Sequence, residues 1–116
     1  SRSQQTAYAK KAIQAYKRSL AIDPTNLDVR TDMAVAYLYD PDNPMEAIRQ
    51  TKKVLSQDPD HLQANFNRGI MLLRINRVDQ AVKQFEKVKE LAGPDSPVYQ
   101  RTEKVLQRIR QQQGQG

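Results

Sequence analysis

PMEAIRQTKKVLSQDPDH, residues 44–61, decides how this chain is read, because two other stretches align with it without a gap. They are AKKAIQAYKRSLAIDPTN (9–26) and VDQAVKQFEKVKELAGPD (78–95). Each carries alanine at its fourth place (Ala12, Ala47, Ala81) followed by a β-branched residue, Ile13, Ile48 or Val82. Tyr16, Thr51 and Phe85 come four residues after the alanines and so share a helical face with them. The stretches end at Asp23-Pro24, Asp58-Pro59 and Gly93-Pro94. A residue preceding proline is disfavoured in the helical conformation, so each ending is a helix stop.

Between these stretches lies a second kind of segment, LDVRTDMAVAYLYD (27–40) and LQANFNRGIMLLRI (62–75). Two helix types therefore alternate. The alanines stand 35 and then 34 residues apart, and Leu27 and Leu62 stand 35 apart, so one extra residue falls between Tyr39 and Pro44. There Asp40-Pro41 stops one helix. Asn43 is expected to cap the next, with Pro44 at its first position and Glu46 completing a capping box. An insertion in this turn moves no core residue out of phase.

Composition agrees with helices. Within 116 residues there are four glycines, two of them in the terminal GQG, seven aromatic residues, and abundant Ala, Gln, Lys, Arg and Leu. The length suits one domain with a single core. No apolar run approaches a membrane span or a signal-peptide core. Cysteine is absent, which excludes disulfides and cysteine-based zinc sites and fits a reducing, cytoplasmic setting. The net charge of +6 is distributed in blocks: +4 over residues 1–26, −3 over 27–61, +3 over 62–93 and +2 over 94–116. An ordinary solvated surface accounts for such blocks.

The alternation resembles the tetratricopeptide repeat, a family of 34-residue helix–turn–helix units. Its Leu-Gly pair corresponds to Met33–Ala34 and Arg68–Gly69, and its tyrosine to Tyr37 and Leu72. Its alanine corresponds to Ala12, Ala47 and Ala81, its aromatic to Tyr16, Thr51 and Phe85, and its proline to Pro24, Pro59 and the Gly93–Pro94 pair. The tryptophan place holds Arg30 and Asn65, Arg68 replaces a core leucine, and Thr51 replaces an aromatic. The resemblance covers residues 6–95. It implies an all-α, right-handed α-solenoid of about 2.5 repeats, in which stacked helix pairs share a core.

The expected organisation is a single domain over 1–113. It comprises the second helix of a partial repeat (5–26), two repeats (27–61 and 62–95), a capping helix (96–113), and a disordered tail at 114–116. Six helices are predicted near 5–22, 27–40, 44–57, 62–75, 78–91 and 97–112. In the last, Ser96 is the expected N-cap. Val98, Thr102, Val105, Leu106 and Ile109 form an apolar stripe from which Arg101, Lys104, Arg108 and Arg110 point away. The starting end, around Ile13, Tyr16 and Leu20, is expected to be partly uncovered.

No spacing signature of catalysis is present, so no enzymatic activity, cofactor or metal is expected. His61, the single histidine, reads as a solvated turn residue. The pairs Asp40/Asp42 and Asp58/Asp60 lack the glycine, third oxygen ligand and distal glutamate of a calcium loop, and read as turn and cap residues. No glycine-rich loop exists to hold phosphate.

The resemblance instead implies a binding surface on the first helix of each pair. Its groove-facing places map to Asp28, Thr31, Val35, Leu38 and Tyr39, and to Gln63, Phe66, Ile70, Leu73 and Arg74. Tyr39 and Phe66 are the expected aromatic anchors, while Asp32, Asn67 and Arg74 are the orienting polar groups. Leu38, Ile70 and Leu73 also suit an inter-helix core, and Phe66 a place under the final helix. Family members that clamp a peptide carboxylate use Lys, Asn and Arg. Here Thr31, Asp32, Val35 and Gln63 occupy such places and only Asn67 matches, so a clamp is not expected.

The leading expectation is thus a protein–protein interaction module with a peptide or partner helix in the groove. Self-association or scaffolding within a larger protein comes second. Nucleic-acid binding through Lys10, Lys11, Lys17 and Arg18, with Arg101, Lys104 and Arg108, ranks last. Its only neighbouring aromatics are Tyr8, Tyr16 and Tyr99. Many bacterial members of the family carry such domains behind a membrane anchor, so an origin within a longer chain is a further expectation.

Overall fold

A computed structural model describes residues 1–114. Those residues form six α-helices and no strand: α1 (Arg2–Ile22), α2 (Leu27–Tyr37), α3 (Glu46–Gln57), α4 (Leu62–Arg74), α5 (Val78–Ala92) and α6 (Pro97–Gly114). Two compact units divide the chain. Ser1–Pro59 holds α1 to α3, and α4 to α6 belong to the unit from Asp60 onward. Within each, helices pack against their neighbours in sequence: α1 on α2 and α2 on α3, then α4 on α5 and α5 on α6. Of the tail expected at 114–116, Gly114 closes α6, and residues 115 and 116 lie outside the described residues.

The stops fall where X-Pro chemistry puts them. Asp23, Asp58 and Gly93 are the C-caps of α1, α3 and α5, and Gly93 takes φ +79°, a conformation open to glycine without penalty. Capping side chains restart the chain. Asn26 Oδ1 accepts the Val29 N–H at 3.1 Å at the start of α2, and His61 Nδ1 accepts the Ala64 N–H at 3.1 Å at the start of α4. His61 is therefore a half-buried helix cap and not a solvated turn residue. Ser96 Oγ accepts the Val98 N–H at 3.2 Å and caps α6 as expected. Helix α1 starts three residues earlier than predicted, because Ser1 and Gln4 form a reciprocal capping box.

The inserted turn is built differently from the expectation. Helix α2 ends at Tyr37, and the N–H groups of Leu38, Tyr39 and Asp40 bond back three residues, to Val35, Ala36 and Tyr37. Buried Asp40 then organises the turn, accepting the Asp42 N–H at 3.1 Å and the Asn43 Nδ2 at 3.0 Å. That second bond turns the Asn43 side chain toward Asp40, and Asn43 is not the cap of α3. Met45 is the N-cap without a side-chain bond, and α3 begins at Glu46 instead of 44. Glu46, freed from a capping box, turns to Gln50 and Arg49.

Both units contain a polar tie at the same repeat position. Gln50 of α3 and Gln84 of α5 each lie three residues after the repeated alanine, and each bonds the residue three places after the leucine that opens the preceding helix, Arg30 or Asn65. In the first unit Arg30 Nη1 donates to Gln50 Oε1 at 2.8 Å. In the second, Gln84 Nε2 donates to Asn65 Oδ1 at 2.8 Å and to the Asn65 carbonyl at 3.1 Å. Buried polar groups need such partners, and here each tie also fixes the register of a helix pair.

In the second unit the core joins Phe66, Ala81, Phe85, Val88, Leu106 and Ile109, drawn from all three helices. The rings of Phe66 and Phe85 meet edge to face at 5.7 Å. Phe85 lies against the backbone of α4 at Gly69, where an added Cβ would stand 2.5 Å from Phe85 Cε1. In the first unit Ala34, Ala47 and Val54 are fully buried. The starting end is covered more than expected. Ile13 and Leu20 are 3% and 8% exposed, and Tyr16 is half-buried, because α2 packs along this face of α1. The exposed apolar surface of α1 lies at Tyr8 and Ile22 instead.

Candidate functional site

Each predicted groove set divides into an inward pair and a row that faces outward except at Asn67, which is buried. At about 100° per residue, Asp28, Asp32 and Val35 share one stripe of α2, with Tyr39 in the turn that follows it, and Gln63, Asn67, Ile70 and Arg74 share the equivalent stripe of α4. The remaining residues, Thr31 with Leu38 and Phe66 with Leu73, lean toward the interior. Thr31 is buried and its hydroxyl donates to the Leu27 carbonyl at 2.7 Å. Phe66 is 7% exposed inside the second core, with the Arg101 guanidinium of α6 over its ring at 5.6 Å. It lies under the final helix, so it is a core residue and not an exposed anchor.

On the α2 stripe Asp28 and Asp32 are exposed and Val35 is half-buried, and Tyr39 beyond it is 45% exposed. Tyr39 forms one wall of a shallow trough of about 360 Å³ whose other lining residues are Gln5, Tyr8, Ala9, Ala12 and Ala36. Alanines make the floor and the two tyrosines the walls. Tyr8 is 68% exposed. While Ala47 and Ala81 are fully buried, the equivalent Ala12 is half-buried and opens into this trough. Sequence reasoning found Tyr39 but missed Tyr8, Ala9 and Ala36. Tyr8 precedes the aligned repeat, and only the packing of α1 on α2 brings it opposite Tyr39.

On the α4 stripe Gln63 and Arg74 are exposed and Ile70 is half-buried against the core. Asn67 Oδ1 accepts from Gln63 Nε2 at 2.8 Å. Its Nδ2 is buried and has no hydrogen-bond partner among the described residues. An unmet buried donor costs about 1–3 kcal/mol, so an acceptor brought to this stripe would remove a standing penalty.

A second concavity lies on the opposite flank of α1. It measures about 420 Å³ and is lined by Lys10, Lys11, Ile13, Gln14, Lys17, Tyr37, Asp40 and Asn43. Lys10 Nζ donates to Asp42 Oδ2 at 2.5 Å, and this bond raises the lysine pKa. The Asn43 hydrogen bond, then that from the Asp42 N–H and the positive charges of Lys10 and Lys17, hold the Asp40 carboxyl below the usual range against the effect of burial.

Among the described residues no group of three or more His, Cys, Asp and Glu side chains is arranged to hold a metal, and no helix is long and apolar enough to cross a membrane. The class that the fold defines is an all-α protein, with six helices among the described residues. No family model and no curated protein matched this chain.

Proposed function

We propose that this chain is a protein–protein interaction module of the tetratricopeptide type, built as a right-handed α-solenoid, in which the α2 stripe of the first unit and the α4 stripe of the second each offer a surface to a peptide or partner helix. The observation that carries the reading is the trough beside Tyr39. Two exposed tyrosines over an alanine floor supply rigid aromatic contact area at low entropic cost, with room between them for an apolar side chain of a partner. The unmet Asn67 donor supports a second contact, to a carbonyl or carboxylate of the same kind of ligand.

Selection of twelve-residue peptides from a random display library, followed by titration of the isotope-labelled chain with the binders, tests this. Amide shifts should cluster on residues 28–39 and 63–74 and on the trough-lining residues 5–12 of α1, and Tyr8→Ser/Tyr39→Ser should weaken binding by roughly tenfold or more. Shifts confined to α3 and α5 would reject the assignment. The alternative reading, self-association through the same exposed tyrosines, predicts a concentration-dependent dimer in sedimentation that Tyr8→Ser abolishes.

A further inference from the structure

Helix α1 carries five basic residues, Arg2, Lys10, Lys11, Lys17 and Arg18, and no acidic one. Among the described residues, Lys10 alone of these five is in a salt bridge, and its partner Asp42 comes from the turn after α2. Lys11, Gln14 and Lys17 follow one another at three-residue spacing, so their side chains stand on adjacent turns of one flank. Beneath them the pocket wall is apolar, made by buried Ile13 and Tyr37. Positive rim, apolar wall and the amide donor of Gln14 together match a ligand with an anionic tip and an apolar neighbour.

We propose that this pocket of the first unit, between α1 and the 38–45 turn, binds an acidic peptide segment. One carboxylate reaches Lys11 and Lys17 while an adjacent apolar side chain rests on Ile13 and Tyr37. Asp42 already shows the mode, since its carboxylate occupies Lys10 as a tethered version of the ligand group. A peptide fits better than a nucleic acid or an anionic membrane. Asp40 and Asp42 flank the lysines and would repel a continuous row of phosphates, but they tolerate one carboxylate placed among the ammonium groups. The site lies across α1 from the tyrosine trough, so it is independent of the proposed docking stripe.

The test is fluorescence anisotropy of a labelled Glu-Leu-Glu-Glu-Leu-Glu peptide with the whole chain at low and moderate salt. Its Gln-for-Glu counterpart, a mixed-sequence single-stranded oligonucleotide and phosphatidylserine vesicles serve as comparison probes. The acidic peptide should bind in a salt-sensitive way, and Lys11→Glu/Lys17→Glu should weaken it roughly tenfold or more. Lys104→Glu/Arg108→Glu, the same charge change on α6, should leave it nearly unchanged, as should Tyr8→Ser/Tyr39→Ser. Asp42→Asn should strengthen binding severalfold by releasing Lys10, whereas Asp95→Asn, an equal charge change elsewhere, should not. Circular dichroism confirms that each variant folds. Equal losses for both lysine pairs, no peptide binding, or tighter binding of the oligonucleotide or vesicles would overturn the proposal. Loss of the tyrosine-dependent binding alone would leave it standing.

Discussion

Gly69 and Phe85 form a contact that leaves no room for a methyl group. Replacing Gly69 by alanine improves helix propensity by about 1 kcal/mol but presses a Cβ into a ring that is itself fully buried. Overpacking of this kind costs about 1–3 kcal/mol, so Gly69→Ala should lower the melting temperature despite its better propensity. Phe85→Leu in the same chain should restore part of the loss, a coupling that a double-mutant cycle measures. Asp40 is the other residue on which much local structure converges. Asp40→Ala removes the acceptor for both Asp42 and Asn43. Denaturant unfolding should then show a loss of about 1–3 kcal/mol. The sequence marked Asp40 as a turn residue. It could not show that Asn43 would spend its side chain on Asp40, because both roles of Asn43 look alike in one dimension.

Helix ends divide into those that chemistry dictates locally and those that tertiary contacts decide. Asp23, Asp58, Gly93 and Ser96 act through neighbouring prolines or their own side chains, so their positions were readable. The end of α2 and the start of α3 depend on the inserted turn and differ from the expectation by three and two residues. The pairing of α5 with α6 adds a pH-dependent element. Lys89 bonds Glu103 across the two helices and stands 5.2 Å from the Tyr99 ring centroid. The Lys89 hydrogen bond depresses the Glu103 pKa, and the Gln50 and Arg49 bonds depress that of Glu46. These carboxyls hold protons more weakly folded than unfolded, so the unfolded chain binds more protons in acid. Their stabilisation is complete above the ordinary carboxylate range, about pH 4–5, and is lost as pH falls through the lower folded values. Thermal melts between neutral and acidic pH should show that decline, and Glu103→Gln should flatten it.

Across the molecule, the repeat pattern gave six helices and the inward positions Ala47, Ala81 and Phe85 because their period survives in sequence. The surface was less legible. Phe66 carries the same aromatic signal whether it faces a ligand or a core, and only the placement of α6 over it separates the two. Tyr8 and the lysines of α1 gained their meaning from residues roughly thirty positions away, Tyr39 and Asp42.

The sequential packing of helices within each unit has a kinetic consequence. Contacts made mainly between chain neighbours close short loops, so little entropy is lost before favourable burial begins. Each unit can therefore nucleate on its own, on the microsecond-to-millisecond scale typical of helical proteins rich in local contacts. During synthesis α1–α3 fold while α4–α6 are still being made, which keeps Ile13, Leu20 and Val54 from lying bare in the meantime.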